Sequence, residues 1–291
     1  MKIGEQYDKD DTFKKEARLY QSKYRANILK AEYKDYGNRL IDGDAYLNYF
    51  SKLNVLDDKR IRYPNYSASR DADMLRSEHI PFNIFSPLKL NLDLAKKTFN
   101  NILGEIISEV TKIKIEYTPK PKGKYLNDQT SFDTYIEFKH IDNSKGAIGI
   151  EVKYTEQAYA LGKTEKKAID KLDSLYYVVS QKSELYVENA TELLKKDDFR
   201  QIWRNQLLGE TIKLNKEISH FISMTLYPSG NTHFSSVIPK YFDLLKPDKK
   251  NSFIAVTFEE LFDIYSKFSS ISEYNEWIEF LKKRYIISNY F

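Results

Sequence analysis

The chain has 291 residues, 41% of them hydrophobic and 14% aromatic, and no cysteine. That length suits one large domain, or a core with a helical extension, and enough apolar side chains are present to bury a core, which excludes a disordered chain, a disulfide framework and any thiolate metal site. Charge is nearly balanced, 46 Lys+Arg against 42 Asp+Glu for a net of +4, a surplus too small to establish nucleic-acid binding but compatible with a local basic surface.

In chain order, scattered apolar positions among charges (Leu19, Ile28, Leu29, Leu40, Tyr46, Leu47, Phe50) predict helix over residues 10–50. Residues 51–75, with Pro64, Asn65 and Ser67 to Ser69, read as a polar, turn-rich connection. Ser77 is placed as an N-cap ahead of Glu78 and an apolar stretch from Ile80 to Phe85, with Pro81 in the first turn. A longer helix is predicted from Leu92 to Val110. The period then changes to two, giving strands at Ile113–Thr118, Phe132–Lys139 and Ala147–Tyr154, the last two joined as a hairpin through IDNSKG. Charged helical sequence returns from Glu165 to Leu214. Strands at Phe221–Tyr227 and Phe253–Thr257 follow, and helices from Phe258 and Glu273 close the chain. A mixed sheet flanked by helices is the expected architecture.

The chemistry concentrates in FDTYIEF and GIEVKY. Alternation along the third strand puts Ile148, Ile150 and Val152 on a core face, and Ala147, Gly149, Glu151 and Lys153 on the other. The small residues of the second face suggest open space above the sheet. In the preceding strand Phe132, Thr134, Ile136 and Phe138 share one face, and Asp133, Tyr135, Glu137 and Lys139 the opposite one. Pairing through the hairpin brings Asp133 and Glu151 onto one surface, a geometry suited to a hard cation such as Mg²⁺, with Lys153 beside its water. Acid-x-Lys occurs six times, starting at Glu32, Asp57, Glu137, Glu151, Glu165 and Asp248. Glu151 stands apart by its apolar strand and the upstream Asp; a solvated cross-strand ion pair is the competing explanation.

Asp133 followed by Glu151-Val152-Lys153 resembles the PD-(D/E)XK signature of restriction-enzyme-like nucleases, with Phe132 where that signature has proline. The segments Gln21–Arg25, Arg76–Phe85, Glu151–Glu156 and Trp203–Leu208 are similar to those of a bacterial family described as restriction endonucleases. The resemblance implies an α/β restriction-endonuclease-like core, a central mixed β-sheet flanked by helices, over residues 76–291, with residues 1–75 as an N-terminal helical extension packed on it. It implies Mg²⁺, with Mn²⁺ able to substitute, held by Asp133, Glu151 and the Val152 carbonyl. It further implies phosphodiester hydrolysis by in-line attack of a metal-bound water that Lys153 orients, and adds Glu78 as an acid from the preceding helix; a first-turn acid complementing the helix dipole is the other reading of Glu78.

Glu156, just past the strand, joins the site or binds solvent. Gln201 and Arg204 share a helix face and are candidates for phosphate contact or a surface ion pair. The loop lysines Lys120, Lys122 and Lys124 could grip a nucleic-acid backbone. The four histidines (His79, His140, His220, His233) show no i,i+4 metal spacing, and no glycine-rich phosphate loop is present. The 23 tyrosines either stack on bases or reflect composition alone. No apolar run approaches the ~20 residues that span a bilayer, so a soluble, cytoplasmic protein is expected. The function expected is a Mg²⁺-dependent endonuclease acting on DNA, with RNA also open, in a restriction or defence role and as a homodimer if both strands are cut. The alternative is a nucleic-acid-binding module that keeps the fold without turnover.

Overall fold

The computed structural model describes residues 1–158, 160–171 and 173–288. The chain begins with α1 (Thr12–Tyr24), capped by Asp11, whose side chain accepts from the Lys14 N–H (3.0 Å). After it come α2 (Val55–Arg62), α3 (Ala68–Asp71), α4 (Ile80–Lys89) and α5 (Leu92–Leu103). An antiparallel meander follows: β1 (Ile107–Tyr117), β2 (Phe132–His140) and β3 (Lys145–Val152). The helices α6 (Lys163–Ile169), α7 (Leu175–Ser183), α8 (Thr191–Leu194) and α9 (Asp197–Leu214) lead to β4 (His220–Tyr227). Then come α10 (Thr232–Leu244), β5 (Phe253–Thr257), α11 (Phe258–Phe268) and α12 (Ser272–Tyr285). The strands form one mixed sheet in the order β1-β2-β3-β4-β5, with β3, β4 and β5 parallel. The parallel pairs are those separated by helical crossovers, as parallel strands require.

Two apolar layers cover the sheet. On one face Ile136, Phe138, Ile148, Ile150, Val152 and Met224 pack with α4, α5, α11 and α12. On the other, Ala147 and Phe221 meet Trp203, Leu207 and Leu208 of α9 and Val237, Ile238 and Tyr241 of α10. The first layer also takes in Ala17, Tyr49, Phe50 and Val55, so the N-terminal segment shares that core. The expected restriction-endonuclease-like α/β architecture is therefore present.

Several local expectations are corrected. Helix in the N-terminal region ends with a π-turn at Arg25–Leu29; residues 42–48 form a 3-10 helix, and Leu19, Ile28 and Tyr46 are exposed. Residues 51–75 contain two short helices rather than turns alone. Ser77 makes no capping bond and lies within a 3-10 turn, Ser77–His79, that feeds α4. The helix expected to reach Val110 stops at Leu103, because Gly104, at φ 72°, breaks it before β1 begins at Ile107. The long helical stretch after β3 is divided into four pieces, and α10 between β4 and β5 was not anticipated.

Alternation also misplaced one side chain and the purpose of the small residues. The Phe132 ring lies with Tyr135 and Phe221 (centroids 5.1 and 5.9 Å), not with Ile136 and Phe138. Space above Ala147 and Gly149 is filled, not open. A Cβ on Gly149 would come within 2.4 Å of the Phe132 ring and 2.8 Å of the Phe221 ring. The glycine admits two aromatic rings to the sheet surface, and the open cleft begins only beyond it, at Glu151.

Candidate active site

The β1–β2 register pairs Ile115 with Thr134 and Tyr117 with Phe132, which sets Glu116 opposite Asp133. The β2–β3 register pairs Thr134 with Ile150, and its continuation sets Asp133 opposite Glu151. Side chains directly opposite one another on antiparallel strands share a face. Glu116, Asp133 and Glu151 thus form a row of carboxylates across three neighbouring strands. Beyond Ile150 the strands part, and the Asp133 side chain takes over from the backbone: its Oδ2 accepts the Val152 N–H at 2.6 Å. On the other side β3 remains held by β4, the Lys153 N–H donating to the Leu226 carbonyl at 2.8 Å.

Lys153 is buried, and its Nζ lies 2.7 Å from Glu151 Oε1. Burial alone would lower its pKa, but the surrounding Glu151, Asp133 and Glu156 carboxylates outweigh burial and raise it, so it stays an ammonium. Asp133 moves the other way. Burial, then Glu151 and Glu116, push its pKa well above the usual carboxylate range, only partly offset by Lys153 and the Val152 N–H. Glu116 is likewise pushed up, to about 7, chiefly by burial, with the Tyr63 hydroxyl and Arg62 opposing and Glu151 and Glu78 reinforcing. Three carboxylates facing one ammonium leave a concentration of negative charge and an all-oxygen donor set. That is what a hard divalent cation requires, and Asp133, Glu151 and the Val152 carbonyl could hold it.

Two adjoining cavities, of about 500 Å³ and about 580 Å³, share Glu78, Asp133, Glu151 and Gln201. Together they make one groove with the carboxylate row at its centre. One arm is flanked by Lys14 and Arg18 of α1 and by Arg76. The other is flanked by Gln129, Thr130, Arg204 and Asn205. A separate cavity of about 500 Å³ near Tyr135 and Lys145 lacks this chemistry. Its two carboxylates, Glu137 and Glu217, are each paired with a lysine, Lys114 and Lys124.

A family model described as the PD-(D/E)XK nuclease superfamily matches residues 8–287. The chain belongs to the PD-(D/E)XK nuclease superfamily. No curated protein and no solved structure was found to match it. PD-(D/E)XK nucleases generally use divalent metals and act on nucleic acid, and the match takes in the N-terminal helices as well as the sheet.

The groove of this PD-(D/E)XK protein gathers most of the residues singled out from sequence. Glu78 lines it, yet its carboxylate is already engaged by Arg70, Arg76 and the Tyr66 hydroxyl (2.9 Å). Burial would raise its pKa, but Arg76, Tyr66 and Arg70 bring it down to about 2. Glu156 also lines the groove, accepting the Tyr154 N–H (2.8 Å) and the Ser77 N–H (3.3 Å), which ties β3 to the turn before α4. Gln201 and Arg204 share the groove face of α9; Arg204 donates to Thr130 Oγ1 (2.9 Å) and lies 3.5 Å from Asp128. Lys120, Lys122 and Lys124 line neither arm; Lys124 pairs with Glu217 (2.7 Å) and Lys122 with Gln129.

Sequence reasoning missed Glu116, although pairing the first predicted strand with the second would have set it opposite Asp133. It carries a left-handed φ of 54°, held by Arg62 donating to its carbonyl (2.9 and 3.0 Å) and Tyr63 to its carboxylate (2.9 Å). Such a backbone outlier in a non-glycine residue concentrates at functional sites. Asn205 was missed too. It is buried, its Oδ1 accepts from Ser223 Oγ (3.1 Å), and its Nδ2 has no partner among the described residues.

Proposed function

We propose that the protein is a Mg²⁺-dependent endonuclease that hydrolyses DNA phosphodiester bonds, with Asp133, Glu151 and Lys153 as its catalytic core. The observation that carries this reading is the row Glu116–Asp133–Glu151 at the centre of a groove, with Lys153 on Glu151 and basic side chains on both arms. Mg²⁺, or Mn²⁺ in its place, held by Asp133, Glu151 and the Val152 carbonyl, would supply positive charge that polarises the phosphoryl oxygens and favours hydroxide at neutral pH. The remaining work falls to the chain. Glu151 orients the Lys153 ammonium through their 2.7 Å contact. Lys153 then orients the attacking water and stabilises charge as it develops on the phosphoryl group. Lys14, Arg18 and Arg76 on one arm, and Arg204 with the Asn205 amide on the other, bind flanking phosphates and set the register of the strand. Glu78 acts indirectly, by fixing Arg70 and Arg76. A restriction or defence role follows from the resemblance of Gln21–Arg25, Arg76–Phe85 and Trp203–Leu208 to restriction endonucleases. No described helix is long and apolar enough to cross a membrane.

The test is cleavage of supercoiled plasmid and of matched single-stranded DNA and RNA with and without Mg²⁺. Wild type is expected to nick or linearise the plasmid only with the cation. Glu151→Ala and Lys153→Ala should each lose roughly a hundredfold or more in rate while still binding DNA. Binding without cleavage by wild type would leave a binding module instead, and preferential cleavage of RNA would reassign the substrate.

A further inference from the structure

The hairpin and the start of β4 bring together residues with a different ligand chemistry. His140 closes β2, Asp142 lies in the turn to β3, and His220 opens β4. Because Phe138 pairs with Gly146, and Gly146 with His220, the two histidines meet across the beginning of β3. Their rings stack with centroids 3.9 Å apart and planes 20° from parallel. The Asp142 carboxylate serves both: Oδ1 lies 3.1 Å from His140 Nδ1, and Oδ2 lies 3.0 Å from His220 Nε2. One ligand atom from each of the three lies within 4.8 Å of the others.

We infer that His140, Asp142 and His220 form a binding site for one divalent transition-metal cation of the Zn²⁺ type. Each imidazole can offer a metal the lone pair of one ring nitrogen; that of His140 Nδ1 accepts the Asp142 N–H (3.2 Å). Two imidazole nitrogens and one carboxylate oxygen suit Zn²⁺, Co²⁺ or Ni²⁺ rather than Mg²⁺, which favours oxygen alone. The carboxylate is already fixed, since Asp142 Oδ1 accepts from the Ser144 N–H (2.8 Å) and the Ser144 hydroxyl (2.6 Å). Supporting contacts of this kind orient ligands before the metal arrives. Asp142 is half exposed (51% of its side chain) and His220 partly so (37%), which leaves room for water to complete the coordination shell. Asp133 and His140 lie seven positions apart along β2, roughly 23 Å at the strand rise. The site is therefore distinct from the carboxylate groove. A cation there would clamp the hairpin turn to β4 and pin the order β2-β3-β4 at the end opposite the groove.

The experiment is a Co²⁺ titration of metal-stripped full-length protein in excess Mg²⁺, which keeps the all-oxygen groove occupied. The readout is the visible d–d absorption of Co²⁺ on nitrogen ligands, with Zn²⁺ as competitor. One equivalent is expected to bind and to be displaced by Zn²⁺. Asp142→Asn and His220→Asn, checked for fold by circular dichroism, should each weaken binding at least about tenfold, while Glu151→Gln leaves it unchanged. Zn²⁺ should also raise the unfolding temperature of wild type and not of His220→Asn. No absorption band in wild type would overturn the inference. So would a band that persists in both the His140→Asn and His220→Asn proteins, or one that vanishes in Glu151→Gln.

Discussion

At the scale of single residues, Asp133 shows how the fold concentrates unfavourable charge. Its carboxyl is buried beside Glu151 and Glu116, and its pKa stands well above the usual value. A raised carboxylate pKa means that the folded state holds its proton more tightly than the unfolded state does. Stability is then lost as pH rises from the unfolded value, near 3.8, through the folded one. Asp133→Asn removes that penalty and can keep the bond from the Val152 N–H through its amide oxygen. In EDTA at neutral pH this variant should match or exceed wild type in urea stability, by a gain on the order of 1 kcal/mol. Its stability should also vary less across the acid range, whereas added Mg²⁺ should stabilise wild type alone. A clear loss of stability in the variant, measured by urea unfolding, would contradict the electrostatic account. The pair Asp133 and Glu151 was legible in the sequence because alternation and a hairpin turn are local signals. Glu116 was not read, because its place in the row depends on how β1 pairs with β2.

At the scale of elements, α9 lies against the sheet through a contact that tolerates no side chain. A Cβ on Gly209 would fall 1.9 Å from the Phe221 ring. Gly209→Ala should therefore push α9 off β4 and lower stability by about 1–3 kcal/mol, read by chemical denaturation. Because Gln201, Arg204 and Asn205 ride on the same helix, nucleic-acid affinity should weaken with it. A variant as stable as wild type would show that Phe221 can move aside. This contact also explains why the small residues of β3 suggested open space when read alone. Gly149 is small because Phe132 and Phe221 occupy its face, and both partners come from other strands. The strands themselves were legible where polar and apolar residues alternate, as in β2, and where a short apolar run stands between turns, as in β5. The short α2 was missed because it carries little local signal, and α10, whose Phe234, Val237, Ile238 and Tyr241 fall at helical spacing, because Pro239 interrupts the pattern.

At the scale of the whole molecule, the ends of the chain are joined beneath the groove. Arg284 of α12 is fully buried and donates to Gln21 of α1, to Asn48 Oδ1 (2.8 Å) and to the Met74 carbonyl (3.3 Å). Gln21 in turn donates to the Tyr154 hydroxyl (2.6 Å), just past Lys153. The N-terminal helix that carries Lys14 and Arg18 is thereby locked to the end of β3. Arg284→Ala should cost about 3 kcal/mol in urea unfolding through several charged hydrogen bonds lost at once, and should weaken nucleic-acid binding through a loosened α1. A cost below about 1 kcal/mol would indicate that α1 is held mainly by its apolar contacts. The network also explains why the groove was only half legible. Glu151 and Lys153 declare themselves within one strand, but the basic arm is assembled from residues near positions 14 and 76, and α1 is held in place by Arg284 of the C-terminal helix.

Under the proposed function, the carboxylate row holds a divalent cation beside Lys153. Crystals soaked in Mn²⁺ and measured at its absorption edge test this directly. An anomalous difference peak is expected among Asp133, Glu151 and the Val152 carbonyl, and is expected to be lost in Asp133→Asn. No peak at that position, in crystals where Mn²⁺ appears elsewhere on the protein, would contradict it.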